Sequence, residues 1–369
     1  MTRVRLDRLA WSELRIPFRT AFRHASAARA ETSSVWVEAE SDGRVGYGES
    51  CPRPYVTGES LASARGFFDA HEASLRREVD DLESLRGWMG RNTRAIDDNP
   101  AAWCAIELAM LDLLARVSAI TVDALLGCPP LARPFRYTAV VGDAGDEAYA
   151  ATIRAYVEAG FTDFKLKLSG DEGRDRRKCD LLLAQAPPGL RVRVDANNLW
   201  QDSDAAIAHL GGLGCPLSGV EEPVGAGRYD ALERIGVALG CRVILDESFV
   251  AARQFPAVER APERWAINVR VSKVGGLMRS LEIVDGARAR GIPVVVGAQV
   301  GETSVLTRAA LTAAQTAGEA LMAQEGAFGT RLLEHDPVEP CLMFGAGGVL
   351  VPQEYPSLAG PGFGLQRLR

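Results

Sequence analysis

From about residue 135 the chain repeats one unit: a short β-rich run, a helical stretch, and the next β-rich run. Strands are predicted at Arg136–Val140, Asp163–Leu168, Arg191–Asp195, Gly219–Glu221, Arg242–Asp246, Ala266–Val271, Pro293–Gly297 and Ala320–Gln324. They recur roughly every 23 to 28 residues, the spacing of βα units in a parallel barrel. Gly160, Gly240 and Gly291 each precede a strand, where the glycine that closes the previous helix belongs. Eight units of this kind predict a (β/α)8-like barrel rather than a doubly wound sheet.

Barrel chemistry collects at the C-terminal ends of the strands. Those ends carry, in chain order, Lys165 and Lys167, Asp195, Glu221, Asp246, Arg270 and the segment Gly297–Glu302. Side chains alternate along a strand, so Lys165 and Lys167 share one face and Phe164, Leu166 and Leu168 the other. On an open edge that lysine face is simply solvated; in a closed barrel it projects into the mouth. A single acid ending a strand commonly caps the next helix. Three on consecutive strands repel one another unless a cation lies among them. An all-oxygen donor set suits Mg²⁺.

The first part of the chain is of another kind. Ser34–Glu40 and Val45–Glu49 alternate as a hairpin about Ser41-Asp42-Gly43. Two irregular, polar segments, Ile16–Ala25 and Cys51–Gly58, are expected to close over a site elsewhere. Ala101–Ala115 is apolar nearly all round and is expected to be buried at a domain junction. Pro129–Pro134 marks a boundary, which predicts an α+β domain over 1–130 and a barrel over 131–345. The Gly/Pro-rich segment 346–369 is expected to run back over the first domain.

Composition narrows the function classes. A net charge of −6 with 42 dispersed basic residues leaves no footprint for nucleic acid or an anionic membrane. No apolar run approaches the roughly 18 residues of a membrane helix, and the first residues lack a signal core. Seven dispersed cysteines without a CxxC read as reduced core thiols of a cytoplasmic protein. The four histidines share no zinc-ligand spacing.

Lys165-Leu166-Lys167, Asp195-Ala196-Asn197, Glu221-Glu222-Pro223, Asp246-Glu247-Ser248 and Lys273-Val274-Gly275-Gly276-Leu277 together resemble the enolase superfamily, muconate-lactonizing-enzyme subgroup. Gly46-Tyr47-Gly48-Glu49, Pro52–Glu59 and Ile106–Asp112 resemble that subgroup's capping domain, especially in its dipeptide epimerases. The resemblance implies a (β/α)7β barrel under an α+β capping domain, and one Mg²⁺ held by Asp195, Glu221 and Asp246. It implies removal of a hydrogen α to a carboxylate, with the metal stabilising the enediolate. Lys167 is then the base, since a lysine beside a second ammonium sheds its proton more readily, and Lys165 is that neighbour. Arg23, Tyr55 and Asn197 are implied as substrate-binding residues, and Glu302 as support on the opposite face at strand seven. A homo-oligomer is implied by the resemblance alone.

Two departures from the family pattern matter. The second lysine of the subgroup, three residues before the basic residue of the Lys/Arg-x-Gly-Gly turn, is here Arg270. Arginine stays protonated and is a poor base; Lys273 lies beyond the strand, where the family has a structural basic residue. The Asp-x-Asp that binds a dipeptide's ammonium group is absent from Glu325–Thr330, where Glu325 alone is acidic. Arg270 therefore favours a one-base outcome on a small carboxylate, cycloisomerisation or syn-elimination of water. The alternatives are a dipeptide or N-acylamino-acid epimerase or racemase, and a metal-binding homologue without activity.

Overall fold

The computed structural model describes residues 3–24 and 27–368, without the side chains of 20–24, 27 and 28. An antiparallel three-stranded sheet opens the fold: Arg8–Leu14 pairs with Ser34–Ser41, which pairs with Arg44–Ser50. Against it lies the helix Pro100–Val117, buried at every position from Pro100 to Ala115, which explains its lack of a polar face. The approach is close because Gly46 and Gly48 have no side chain. A Cβ there would stand 2.3 Å from the Ala109 carbonyl and 1.9 Å from that of Ala105.

Ile16–Ala25, expected to be irregular, contains instead the strand Pro17–His24, paired with Ala27–Glu31. The apolar residues in that polar stretch decide the matter. Ile16 and Phe18 are buried in a small cluster with Leu333, and Arg19 N–H donates to the Leu332 carbonyl. This anchors the hairpin to the far end of the barrel.

Eight parallel strands follow in chain order: Ala139–Val141, Asp163–Lys167, Arg191–Asp195, Gly219–Glu221, Arg242–Leu245, Trp265–Val269, Val294–Val296 and Leu321–Gln324. Thr138 N–H donates to the Gln324 carbonyl at 2.7 Å and joins the last strand to the first. Helices link the first seven strands to their successors, the α-helix after strand five being only Phe255–Val258, and among the described residues strand eight is followed by short 3-10 turns and no α-helix. The architecture is (β/α)7β. Valine, isoleucine and leucine between strands and helices make one continuous core with the capping helices.

The end of the chain returns to the first helices. Val122 N–H donates to the Gly362 carbonyl, Phe363 N–H to Asp112, and Gln366–Arg367 pairs with Val338–Glu339. All seven cysteines are free thiols. Among the described residues no helix is long and apolar enough to cross a membrane.

Candidate active site

The barrel register builds the site in layers. Lys167, Asp195 and Glu221 are partners across strands two, three and four; Lys165 and Arg193 are partners one layer nearer the N-terminal end. All five side chains are buried, so each charge needs a partner. Lys167 Nζ donates to Asp195 Oδ2 at 2.5 Å and to Asn197 Oδ1 at 3.1 Å. Lys165 Nζ donates to Glu325 Oε2 at 2.6 Å and to Glu221 Oε2 at 3.1 Å. Arg193 donates to the other oxygen of Glu325 at 3.0 Å and also pairs with Asp163.

The third acid, Asp246, follows strand five. Lys273 Nζ donates to its Oδ1 at 3.0 Å, and Arg270 Nη2 stands 2.6 Å from its Oδ2. Arg270 also reaches Glu221 Oε1 at 3.3 Å and Gln299 Oε1 at 3.4 Å. Lys273 is fully buried and donates further to the carbonyls of Asp246, Phe249 and Asn268, so it holds the turn after strand five. Glu222, in the left-handed region at φ 38°, accepts from the N–H groups of Asp246 and Ser248 and braces the same turn. Asn197 shares that backbone region at φ 46°; its N–H donates to Asp195 Oδ1 and its side chain accepts from Lys167.

These pairings set the charges. Burial opposes ionisation of Asp195, but Lys167 and Lys165 outweigh it and hold the acid below its ordinary range. Asp246 is likewise lowered, by Arg270 and Lys273 against burial. Burial and the Asp195 charge raise Glu221. Lys165 resists burial through Glu221, Glu325 and Asp195, which raise its pKa and keep it an ammonium. Glu247, half-buried beside Asp246 and Glu222, is raised well above its ordinary value by desolvation and those charges, and its buried Oε2 has no hydrogen-bond partner.

A cavity of about 90 Å³ opens above this layer. Its polar wall is Lys165, Lys167, Asn197, Glu247, Arg270 and Gln299; Val140, Ala298, Val300, Phe328 and Leu332 make an apolar one. Tyr55 of the capping domain also lines it. Buried Arg53 fixes the Tyr55 segment by donating to the carbonyls of Ser33, Pro52 and Val300. A larger groove of about 980 Å³ lies outside the barrel, beside the helix Leu277–Ala289. Its central acid, Asp97, is already bridged to Arg253 and Arg279 at 2.7 Å each, so the chemistry is read from the smaller cavity.

Lys165, Lys167, Asn197, Arg270 and Tyr55 thus converge on one cavity, with Asp195, Glu221 and Asp246 buried in the layer beneath. Glu302 does not line it. It is half-buried, accepts from Gln299 N–H at 2.6 Å, and loss of solvent around its carboxyl pushes it up to about 7. The side chain of Arg23 lies outside the described residues. Sequence reasoning passed over Arg193, Arg53 and Glu222. Arg193 carried a readable signal: a charged residue inside a strand, two positions before Asp195 and so on the same face.

The three strand-end acids fit an oxygen-preferring divalent cation by donor chemistry, with the buried Asp246 Oδ2 covered by Arg270 Nη2 at 2.6 Å. As they stand, protein cations interleave with them. Among the described residues no three Asp, Glu, His or Cys side chains form a ready cage for a metal ion.

Fold and relatives together define a barrel enzyme of the isomerase class with a capping domain. The chain belongs to the enolase superfamily, in its muconate-lactonizing subgroup. Residues 148–367 match the enolase C-terminal domain-like family, and residues 8–127 match the mandelate racemase / muconate lactonizing enzyme N-terminal domain. A hydrophobic dipeptide epimerase of Citrifermentans bemidjiense is 30% identical over 82% of this chain and 84% of its own. An N-succinyl-L-Arg/Lys racemase of Bacillus cereus is 25% identical over 80% of each. The structure of a dipeptide epimerase of Enterococcus faecalis, complexed with Mg and the dipeptide L-Leu-L-Tyr, superposes with a TM-score of 0.82 at 22% identity, over the whole of both chains.

Proposed function

We propose that the chain epimerises or racemises the α-carbon of a small carboxylate, a dipeptide or an N-acylated amino acid, with one Mg²⁺ held by Asp195, Glu221 and Asp246. The observation that carries this is the position of Lys167. Its amine lies in the cavity wall, tethered to Asp195 and Asn197, directly above the acid layer. The relatives named as epimerases and racemases support the direction of the reaction, and the relative solved with Mg supports the ion.

When bound, Mg²⁺ supplies the positive charge that stabilises the second negative charge on the substrate carboxylate. Lys167, as a neutral amine oriented by Asn197, would take the α-proton from one face and pass it on to solvent. A solvent proton delivered to the opposite face would complete the inversion, since Arg270 stays protonated. Lys165, fixed by Glu221 and Glu325, stays charged and adds to the field that favours the carbanion. Both oxygens of Glu325 are occupied by Lys165 and Arg193, so Glu325 does not stand in for the missing ammonium-binding pair. That favours an acylated nitrogen over a free one. The apolar wall suits a hydrophobic acyl or side chain. In this reading residues 1–130 form the cap, 131–345 the barrel, and 346–369 a strap between them.

Arg270 favours a second reading, a one-base cycloisomerisation or syn-elimination with Lys167 alone. Incubation of dipeptide and N-acylamino-acid libraries in deuterated solvent separates the two. Epimerisation places deuterium at Cα with inversion; exchange with full retention supports the one-base reading. An absence of exchange on every acid sinks both.

A further inference from the structure

Arg270, like Lys167 on Asp195 and Asn197, differs from Lys165 and Lys273 in how it is held. Lys165 keeps Glu325 at 2.6 Å, and Lys273 keeps three backbone carbonyls, whatever happens to the acids. Both ion pairs of Arg270 are with expected metal ligands, Asp246 at 2.6 Å and Glu221 at 3.3 Å. Its Nε is buried without a hydrogen-bond partner, and its one further contact is Gln299 in the cavity wall, at 3.4 Å. Gly297, just after strand seven, lies against Asn268 and the Arg270 stem: a Cβ there would stand 2.2 Å from Asn268 Oδ1 and 3.1 Å from Arg270 Cγ.

A guanidinium fork and a divalent ion cannot use the same carboxylate oxygens. Mg²⁺ draws its ligand oxygens to about 2.0–2.1 Å in an octahedron, and the two charges repel. We propose that Arg270 gates the cation site: over Asp246 and Glu221 it closes the site, and it must turn toward Gln299 for the ion to enter. This rests on the reading of Asp195, Glu221 and Asp246 as ligands. The residue that replaces the family's second lysine thereby sets how tightly the ion is held. In the turned position its fork faces the cavity, where it meets an anionic group of the substrate.

Calorimetric titration of Mg²⁺ into the purified full chain tests the gate without reference to activity. Arg270→Met is expected to bind the ion at least about tenfold more tightly than wild type, within the usual span of coupled binding. Arg270→Lys, which keeps the charge and loses the fork, is expected to fall between them. Equal or weaker binding by Arg270→Met overturns the gate alone. Arg270→Lys equal to wild type assigns the effect to net charge and also overturns it. Absence of binding by all three proteins overturns the ligand reading and the gate together. Should Arg270→Met fail to fold, wild-type crystals soaked in MgCl₂ decide: a bound ion with the guanidinium turned to Gln299 supports the gate, and one with it still on Asp246 contradicts it.

Discussion

Two sets of buried carboxylates in this molecule are held by different means. Asp195 and Asp246, in the barrel, are each gripped by two cations and lie below the ordinary carboxylate range. Glu49 and Glu107, in the capping domain, reach across to the barrel and meet only dipoles. Glu49 accepts from Thr303 N–H and Oγ1 and from Leu306 N–H, at the start of the helix Ser304–Ala317. Glu107 accepts from Leu277 N–H at 2.5 Å and from Met278 N–H, at the start of Leu277–Ala289. Helix N-termini are favourable places for an acid, yet burial wins and pushes both glutamates up to about 8. Two cations outweigh burial at Asp195 and Asp246, whereas a helix end and a hydroxyl do not at Glu49 and Glu107. The site is therefore an ionic lattice, whereas Glu49 and Glu107 tie cap to barrel by hydrogen bonds, beside ion pairs of Asp123 with Arg308 and of Asp97 with Arg253 and Arg279.

Breaking the lattice should cost most. Glu325→Leu leaves Lys165 and Arg193 without their shared counter-ion, and a loss of about 3–5 kcal/mol in denaturant unfolding is expected. A loss near zero would mean that the lattice does not hold the barrel together. At the junction, Glu107→Ala orphans buried N–H groups without stranding a charge, and about 1–3 kcal/mol is expected from the same measurement.

The two regions also differ in the pH window over which they act. The raised pKa of Glu49 and Glu107 means that the folded chain keeps protons the unfolded chain releases near the ordinary value of 4.5. Their contribution is complete below that value and is lost as pH rises to about 8. Asp195 and Asp246 behave oppositely, contributing above the ordinary range and failing as pH drops below it. Glu49→Gln with Glu107→Gln should therefore flatten the fall in stability from pH 5 to pH 8, read from melting curves, and leave the acid limb unchanged. A variant as steep as wild type would place the titration elsewhere. As the smallest effect, Asp204→Ala removes an exposed partner of Arg234 and should cost less than about 1 kcal/mol.

Much of the barrel was legible because its strands announce their own ends. Arg191–Asp195 and Gly219–Glu221 match the prediction residue for residue, each a β-rich run stopped by an acid and a turn. Most others differ by a residue or two, since glycine and proline mark the loop rather than the last paired residue, but the first begins at Ala139 rather than Arg136, which pairs instead with Val349. The Pro17–His24 hairpin was hidden because its anchor is distant: its partner strand Ala27–Glu31 is local, but Phe18 is secured by Leu333. Glu325 was legible as a lone acid, but its engagement by Arg193 depends on a register between strands that chain order does not reveal. The same limit applies to Arg270, whose grip on Asp246 and Glu221 crosses strand neighbours.

The account stands on proton transfer by Lys167, and one measurement reaches it directly. Wild type, Lys167→Ala and Arg270→Met are incubated in deuterated solvent with Mg²⁺ and the best substrate from the library, and α-deuterium is followed by NMR. Wild type should exchange; Lys167→Ala should be slower by about 10²–10⁴-fold, the usual weight of a general base; Arg270→Met should retain exchange. Exchange by Lys167→Ala at the wild-type rate would contradict the account.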